Sequence, residues 1–306
     1  MELLLTADDF GRDPAVNAAV RQAHEAATLT GASLMVTGDA WQDAVALARS
    51  LPRLAVGLHV AVSDARPLLP PASIPHLVDA TGRFPASPAK AGLRYFFNPR
   101  ARLELRREIE AQFDRFAATG LPLAHVDGHQ HMHMHPVVWD IVVPLAQRYG
   151  APRIRIPHDE LAFALRFDPH HLAAKIATTC VFRLLERRAR RCLRGTALRA
   201  LPTTYGFLMS GRMHERYLQA ILRHLHGPAE IYFHPRAAQR LDRLGPNPTD
   251  LAALLSPQVR KLLGTSPQER TATAVNAAGD SPRCSSPNSS SSCVPSREPT
   301  GYAPHA

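Results

Sequence analysis

The 306-residue chain carries 36 Lys and Arg against 26 Asp and Glu, a formal charge of +10, with 45% hydrophobic and 6% aromatic residues. The length suits one large domain or two ordinary ones, and the apolar content is enough for a sizeable core. No stretch approaches the eighteen or so apolar residues of a membrane span, and the opening MELLLTADDFG is too short and too acidic for a signal peptide. Scarce aromatics, not interleaved with the basic residues, argue against nucleic-acid binding, and no zinc-finger or RNP-type pattern is present. The four cysteines (Cys180, Cys192, Cys284, Cys293) form no CxxC pair, so neither a zinc knuckle nor a disulfide framework is expected, and the default setting is reducing and cytoplasmic.

Leu3–Thr6 reads as a strand running into Ala7-Asp8-Asp9-Phe10-Gly11, a carboxylate pair that a solvated turn would also explain. Pro14 starts a helix to about Ala27, with Val16, Val20 and Ala23 at helical spacing. Ser33–Thr37 is the second strand, Trp41–Ser50 the second helix, and Leu54–His59 a third strand that ends in a histidine. The Pro-rich stretch from Ser63 to Pro99 reads as a long loop or a small excursion near the site, and loops of that length in compact domains tend to be functional. Arg102–Thr119 is a helix with Leu105, Ile109, Phe113 and Phe116 as its apolar stripe and Arg and Glu on the other face.

Leu121–Asp127 is the fourth strand, and it opens the densest chemistry in the chain. His125, Asp127, His129, His131, His133 and His135 all fall at odd positions, so any extended part places them on one face. Gly128 is expected to break the strand and let the later histidines curl over its end. Imidazoles with a carboxylate at a strand end suit a divalent metal, although a polar loop with adventitious affinity has the same composition.

Pro136–Tyr149 is the next helix, and Pro152–Pro157 a strand with Arg153 and Arg155 on one face. Leu172–Arg194 is a long helix in which Leu172, Ile176, Val181, Leu184 and Leu185 alternate with six arginines. Such a helix either lies on an anionic bilayer or packs on the core with its charges solvated. A turn at Ser210-Gly211, a helix at Met213–His226, a strand at Glu230–Phe233 followed by His234, and a helical region at Leu251–Leu263 interrupted by Pro257 complete the pattern. From about Thr265 the chain turns Ser- and Pro-rich, so residues 1–264 are expected to form the domain and 265–306 a disordered tail.

Strands alternating with helices predict an α/β fold, and in such folds the carboxyl ends of parallel strands share one face. Here those ends carry Asp8 and Asp9, His59, His125 to His131, Arg155 with Glu160, and His234. So many independent coincidences point to a metal-dependent active site.

The ADDFG opening, Gly57–His59 (GLH), His125–His133 (HVDGHQHMH) and Tyr232–Pro235 (YFHP) resemble, in order, the motifs of the YdjC-like (ChbG-like) carbohydrate deacetylases. The resemblance spans about residues 1–263, and the Arg-rich segment and SGRM turn are most similar to the hopanoid-biosynthesis-associated HpnK branch. It implies a (β/α) barrel, regular or irregular, of the glycoside hydrolase/deacetylase type. It also implies removal of an N-acetyl group from an amino sugar, for the branch the acetylglucosaminyl headgroup of a hopanoid lipid, with one divalent ion (Mg²⁺ or Zn²⁺). Position by position, Asp9, His59 and His129 would be metal ligands, Asp8 the general base and His234 the general acid. Gly128 and Gln130 stand where the family usually has Ser and His, and the HxxxH spacing leaves open whether His125 replaces or joins His129.

One ion can polarise an amide carbonyl and lower the pKa of water, with a carboxylate and an imidazole moving the protons. Arg155 would bind a substrate hydroxyl or phosphate, unless it forms a structural salt bridge to Glu160. The rival readings are a glycoside hydrolase pairing Asp8 or Asp9 with Asp127 and a membrane-associated binding protein with a structural metal. On the favoured reading the enzyme is cytoplasmic, peripheral to the inner membrane, and contacts an anionic bilayer through the Arg-rich helix.

Overall fold

A computed structural model describes residues 2–238 and 245–264; the tail expected at 265–306 lies outside the described residues. Six strands, β1 (Leu3–Phe10), β2 (Gly31–Leu34), β3 (Ala55–Val60), β4 (Val126–Gly128), β5 (Thr203–Tyr205) and β6 (Ala229–Phe233), form one parallel sheet in the order β4-β3-β2-β1-β6-β5. The predicted strand at Pro152–Pro157 is corrected to an irregular seventh stave. Its prolines lack the N–H groups that a regular ladder needs. It still links the two outer strands, through Arg155 N to Val126 O (3.0 Å) on one side and Thr204 N to His158 O (2.9 Å) on the other. The result is an irregular (β/α) barrel with every strand end on one rim.

The outer layer is helical: α1 (Pro14–Glu25), α2 (Trp41–Ser50), α3 (Pro88–Phe97), α4 (Pro99–Ala118), α5 (Pro136–Arg148), α6 (Leu161–Leu165), α7 (Leu172–Cys192), α8 (Glu215–His224), α9 (Pro248–Leu255) and α10 (Pro257–Leu263). Their starts follow the local chemistry. Asp13 caps α1 by accepting from Ala15 N and Val16 N, Asn98 caps α4 from Arg100 N and Ala101 N, and Ser256 restarts the chain as α10 just before Pro257. Val16, Ala19, Val20 and Ala23 of α1 bury one stripe, as the 3.6-residue period requires.

The structure is richer than expected in two places. The segment read as one loop up to Pro99 contains α3, which Ser87 caps and whose Tyr95 is wholly buried. The polar face of α4 is also partly buried. Glu104, Glu108 and Gln112 are buried and hold the excursion between β3 and α3: Glu108 accepts from Leu68 N and Leu69 N, Glu104 from His76 N, and Gln112 from Ala61 N. Backbone groups with no strand neighbour need such partners, and the helix supplies them in a row at i, i+4 and i+8.

Candidate active site

The rim chemistry starts with a bulge. Register with β2 breaks between Ala7 and Phe10, and Asp9 takes a left-handed φ of 61°. In a regular strand Asp8 and Asp9 would face opposite sides. The left-handed turn costs on the order of 1–3 kcal/mol for a residue with a Cβ; it lets both carboxylates serve the same neighbourhood. A second strained pair, Gln130 (φ 51°) and His131 (φ 54°), lies in the short 3-10 turn His129–Met134 that follows β4. There the chain leaves the sheet at Gly128, as expected, and curls its histidines over the strand ends.

Asp9, His59 and His129 meet: they offer ligand atoms within 4.8 Å of one another, and all three are buried. Asp9 Oδ1 lies 2.8 Å from His129 Nδ1 and 3.4 Å from His59 Nε2. Yet Asp9 Oδ1 and both ring nitrogens of His129 have no hydrogen-bond partner. Short separations without hydrogen-bond geometry are what donor atoms converging on a shared cation produce. A carboxylate and two imidazoles are also a donor set that zinc or magnesium accepts. The residues therefore fit a divalent ion.

Charge points the same way. Three buried carboxylates, Asp8, Asp127 and Glu230, pair with one buried guanidinium, Arg155, and a fourth, Asp9, is reached by Arg12 (3.1 Å) from the more exposed side. Burial works against a charged His59, but Asp127, with Asp9 and Asp8, outweighs it and pushes the imidazole up to about 10. Burial likewise opposes the ionised Asp9, which His129, His59 and Arg12 nevertheless hold well below the usual carboxylate range. A site that would otherwise protonate a histidine to balance its acids is one that a cation suits.

Asp127 organises the layer beneath. Its Oδ1 accepts from His59 Nδ1 (2.7 Å), which leaves His59 Nε2 facing Asp9, and its Oδ2 accepts from Ser33 Oγ (2.7 Å) and pairs with Arg155 Nη1 (2.8 Å). This is the carboxylate–histidine support common behind metal ligands. His125 stays in that lower layer, bonded to Ser33 Oγ (2.9 Å). Of the two histidines in the HxxxH spacing, His129 and not His125 reaches Asp9. His125 has room because residue 57 is glycine; a Cβ there would come within 2.4 Å of its ring. At Gly128 a Cβ would come within 3.1 Å of the buried His133. The glycine at this position therefore leaves space for that ring.

Arg155, expected at the substrate, is corrected to a buried position. It clamps Asp8 through two bonds (2.7 and 2.9 Å), holds Glu230 (2.7 Å), and makes no bridge to Glu160. Glu160 bonds His224 and Tyr205 instead. The carboxylate clamped by Arg155 opens onto a cleft of about 610 Å³, lined among others by Asp8, Asp9, His129, His131, Tyr232 and His234. Tyr232 forms its floor: the ring lies 4.7 Å from the Arg155 guanidinium, and its hydroxyl meets His131 Nε2 at 2.7 Å. His234 is fixed by its backbone, which donates to Asp250 Oδ2 (2.9 Å), while its Nδ1 has no hydrogen-bond partner. Sequence reasoning missed Ser33, Glu230 and the supporting role of Asp127. A signal existed for Glu230, a charge inside the apolar strand EIYF; Ser33 carried none.

The fold and rim define a class: an irregular α/β barrel with a carboxylate–histidine cluster where its parallel strands end. Within that class the chain belongs to the YdjC-like protein family, whose model matches residues 2–265. It is 38% identical over 157 residues to a carbohydrate deacetylase of Brevibacillus brevis, covering 51% of this chain and 60% of that one. A carbohydrate deacetylase of Geobacillus stearothermophilus is 38% identical over 150 residues (49% and 57% covered), and a chitooligosaccharide deacetylase of Serratia marcescens is 33% identical over 162 (52% and 60%). The match thus spans about three fifths of the length of these relatives. A crystal structure from Enterococcus faecalis V583, named for cellobiose-phosphate cleavage, shares the fold at a TM-score of 0.63 and 22% identity, covering 88% of this chain and 95% of that one.

Proposed function

We propose that residues 1–264 form a metal-dependent hydrolase that removes the N-acetyl group from an amino sugar. The observation that carries the reading is the convergence of Asp9, His59 and His129 beside a cleft that Asp8 and His234 also line. A cleft of about 610 Å³ lies within the usual range for small-molecule sites and suits one or two sugar rings. The names of the relatives supply the substrate class.

Asp9, His59 and His129 would hold the ion, Mg²⁺ or Zn²⁺, and Asp127 would keep His59 in the tautomer whose Nε2 faces it. When bound, the ion supplies positive charge that polarises an amide carbonyl and lowers the pKa of water. Asp8, oriented by the two-pronged Arg155, accepts the proton of the attacking water. His234, which follows β6 beside Asp8 and also lines the cleft, donates one to the leaving amine. Tyr232 and His131 supply a ring-lined floor on which the sugar rests.

The glycoside-hydrolase reading finds less support. Asp127 is sealed from the cleft and shares Arg155 with Asp8, their oxygens lying within 4.8 Å. Paired glycosidase carboxylates flank the bond at about 5 Å or more. For the finer substrate, the SGRM turn and the Arg-rich helix support a lipid-linked acetylglucosaminyl group of the hopanoid type, met at an anionic membrane. Acetate release from an N-acetylated chitooligosaccharide, measured before chelation, after it, and after Mg²⁺ or Zn²⁺ is returned, tests the reading. Loss and recovery of activity are expected; full activity in chelator would reject the metal, and no acetate at all the reaction. Release from the soluble sugar but not from its lipid-linked form would reject the lipid alone.

A further inference from the structure

Large apolar side chains in contact with water are few on this molecule, and they are not scattered. Of the nine exposed ones among the described residues, eight lie on α3, the first turns of α4, and α7. Phe97 is 73% exposed, Leu103 68%, Leu184 64% and Leu93 61%. On α7 the arrangement is the reverse of a core-packed helix: Lys175 and Ala189 are buried, while Ile176, Val181 and Leu184 point outward. Burying such residues is favourable in proportion to area, so a contiguous exposed set marks a contact surface.

Both helices stand beside the cleft. Pro88, the first residue of α3, lines it. On α7, Phe182 packs against Phe207 and His131 at ring distances of 4.3 and 6.1 Å, and both of those also line it. Each helix also contacts the 3-10 turn that carries His129. The two helices that carry the apolar residues therefore both adjoin the candidate site.

Charge selects the occupant. Between Pro88 and Leu103 the chain has Lys90, Arg94, Arg100 and Arg102 and no acid, and α7 has one acid, Glu186, against five arginines. Glu186 is already engaged by His158 and Arg190, whereas Arg183, Arg187 and Arg191 are exposed. A second copy of this chain would bring like charges together. Arg188 is paired with Asp140 and Arg190 with Glu186. Apolar side chains standing beside the exposed Arg183, Arg187 and Arg191 nevertheless match the interface of an anionic bilayer, where rings and alkyl groups enter the acyl boundary and guanidinium groups meet headgroup phosphates.

We propose that α3, the start of α4 and α7 together form a docking face for an anionic lipid surface that holds the cleft mouth against the membrane. Its bearing on substrate rests on the deacetylase reading, since a headgroup would then reach Asp8 and His129 without leaving the bilayer; the docking itself does not. Sedimentation with phosphatidylglycerol vesicles, against phosphatidylcholine vesicles, tests it without any activity measurement. At low salt the bound fraction is expected to be at least about tenfold greater on the anionic vesicles and to fall as salt is raised. The double variant Phe97→Asp/Leu184→Asp should lose about tenfold in binding, with an unchanged circular dichroism spectrum and unchanged acetate release from soluble chitooligosaccharide. Arg187→Glu/Arg191→Glu, which leaves the apolar residues in place, should also weaken binding to anionic vesicles. Failure to sediment with phosphatidylglycerol, or equal binding by both variants and the parent, would overturn the proposal. So would a parent that is dimeric in light scattering and becomes monomeric on Phe97→Asp/Leu184→Asp, which would make the face a contact between copies. Binding without deacetylation would reject the enzyme reading and leave the docking face standing.

Discussion

Asp8 and Asp9 are chemically identical neighbours placed in different roles by their surroundings. Asp9 faces two imidazoles and Asp8 a guanidinium, and the left-handed turn at Asp9 makes that division possible. Replacing Asp8 by Asn keeps the shape and one acceptor for Arg155 but removes the group proposed to take a proton. Acetate release should fall by about 10²–10⁴-fold, the usual worth of a general base. Metal content measured by atomic absorption should stay unchanged, because Asp8 lies outside the Asp9–His59–His129 set. A variant that kept its rate would remove Asp8 from the mechanism; one that lost its metal would move it among the ligands.

At the scale of elements, α4 acts as a strut for the excursion beside the cleft. Glu108 receives two backbone amides, Leu68 and Leu69, and also Gln112 Nε2. Burial pushes the Glu108 carboxyl up, so its charge is costly there and those donors offset the cost. Glu108→Ala should leave the amides unpaired and cost about 1–3 kcal/mol, seen as a lower thermal midpoint. It should also bring earlier protease cleavage within residues 63–87. Glu108→Gln, which retains an acceptor oxygen, should recover part of the loss. Equal protease resistance in the alanine variant would mean that the excursion is held by its apolar contacts alone.

Over the whole molecule, the buried charges make stability depend on pH in two directions. Asp9 and Asp127 titrate well below the usual carboxylate range when folded, Asp127 because Arg155 and His59 outweigh its burial. Their contribution is complete above about pH 4, where the unfolded carboxylate ionises, and is lost as pH falls further. His59 is raised to about 10, so its contribution is complete below about 6.5, the unfolded value, and is lost as pH rises toward 10. Metal-free protein should therefore show its highest denaturant midpoint between about pH 4 and 6.5. Asp127→Asn, which removes one of the two depressed carboxylates and the chief partner of His59, should flatten the profile on both sides. A profile unchanged by that substitution would place the dependence elsewhere in the molecule.

Sequence alone determined which side chains arrive at the rim, because strand ends follow from periodicity and from Gly and Pro, and Asp8, Asp9, His59, His129 and His234 each close such a run. It also determined α1, α2, α5 and the apolar stripe of α4, where a 3.6-residue period and, in α1 and α5, a proline in the first turn are local properties. Only the tertiary structure decided who meets whom. Arg155 and Ser33 lie 122 positions apart, yet both contact Asp127, and no local pattern encodes a contact of that range. The same holds for His129 over His125, for Arg155 turning inward to three acids, and for the outward apolar residues of α7. Each of these depends on which neighbour fills the space beside a side chain, and that is settled when the chain closes into a barrel.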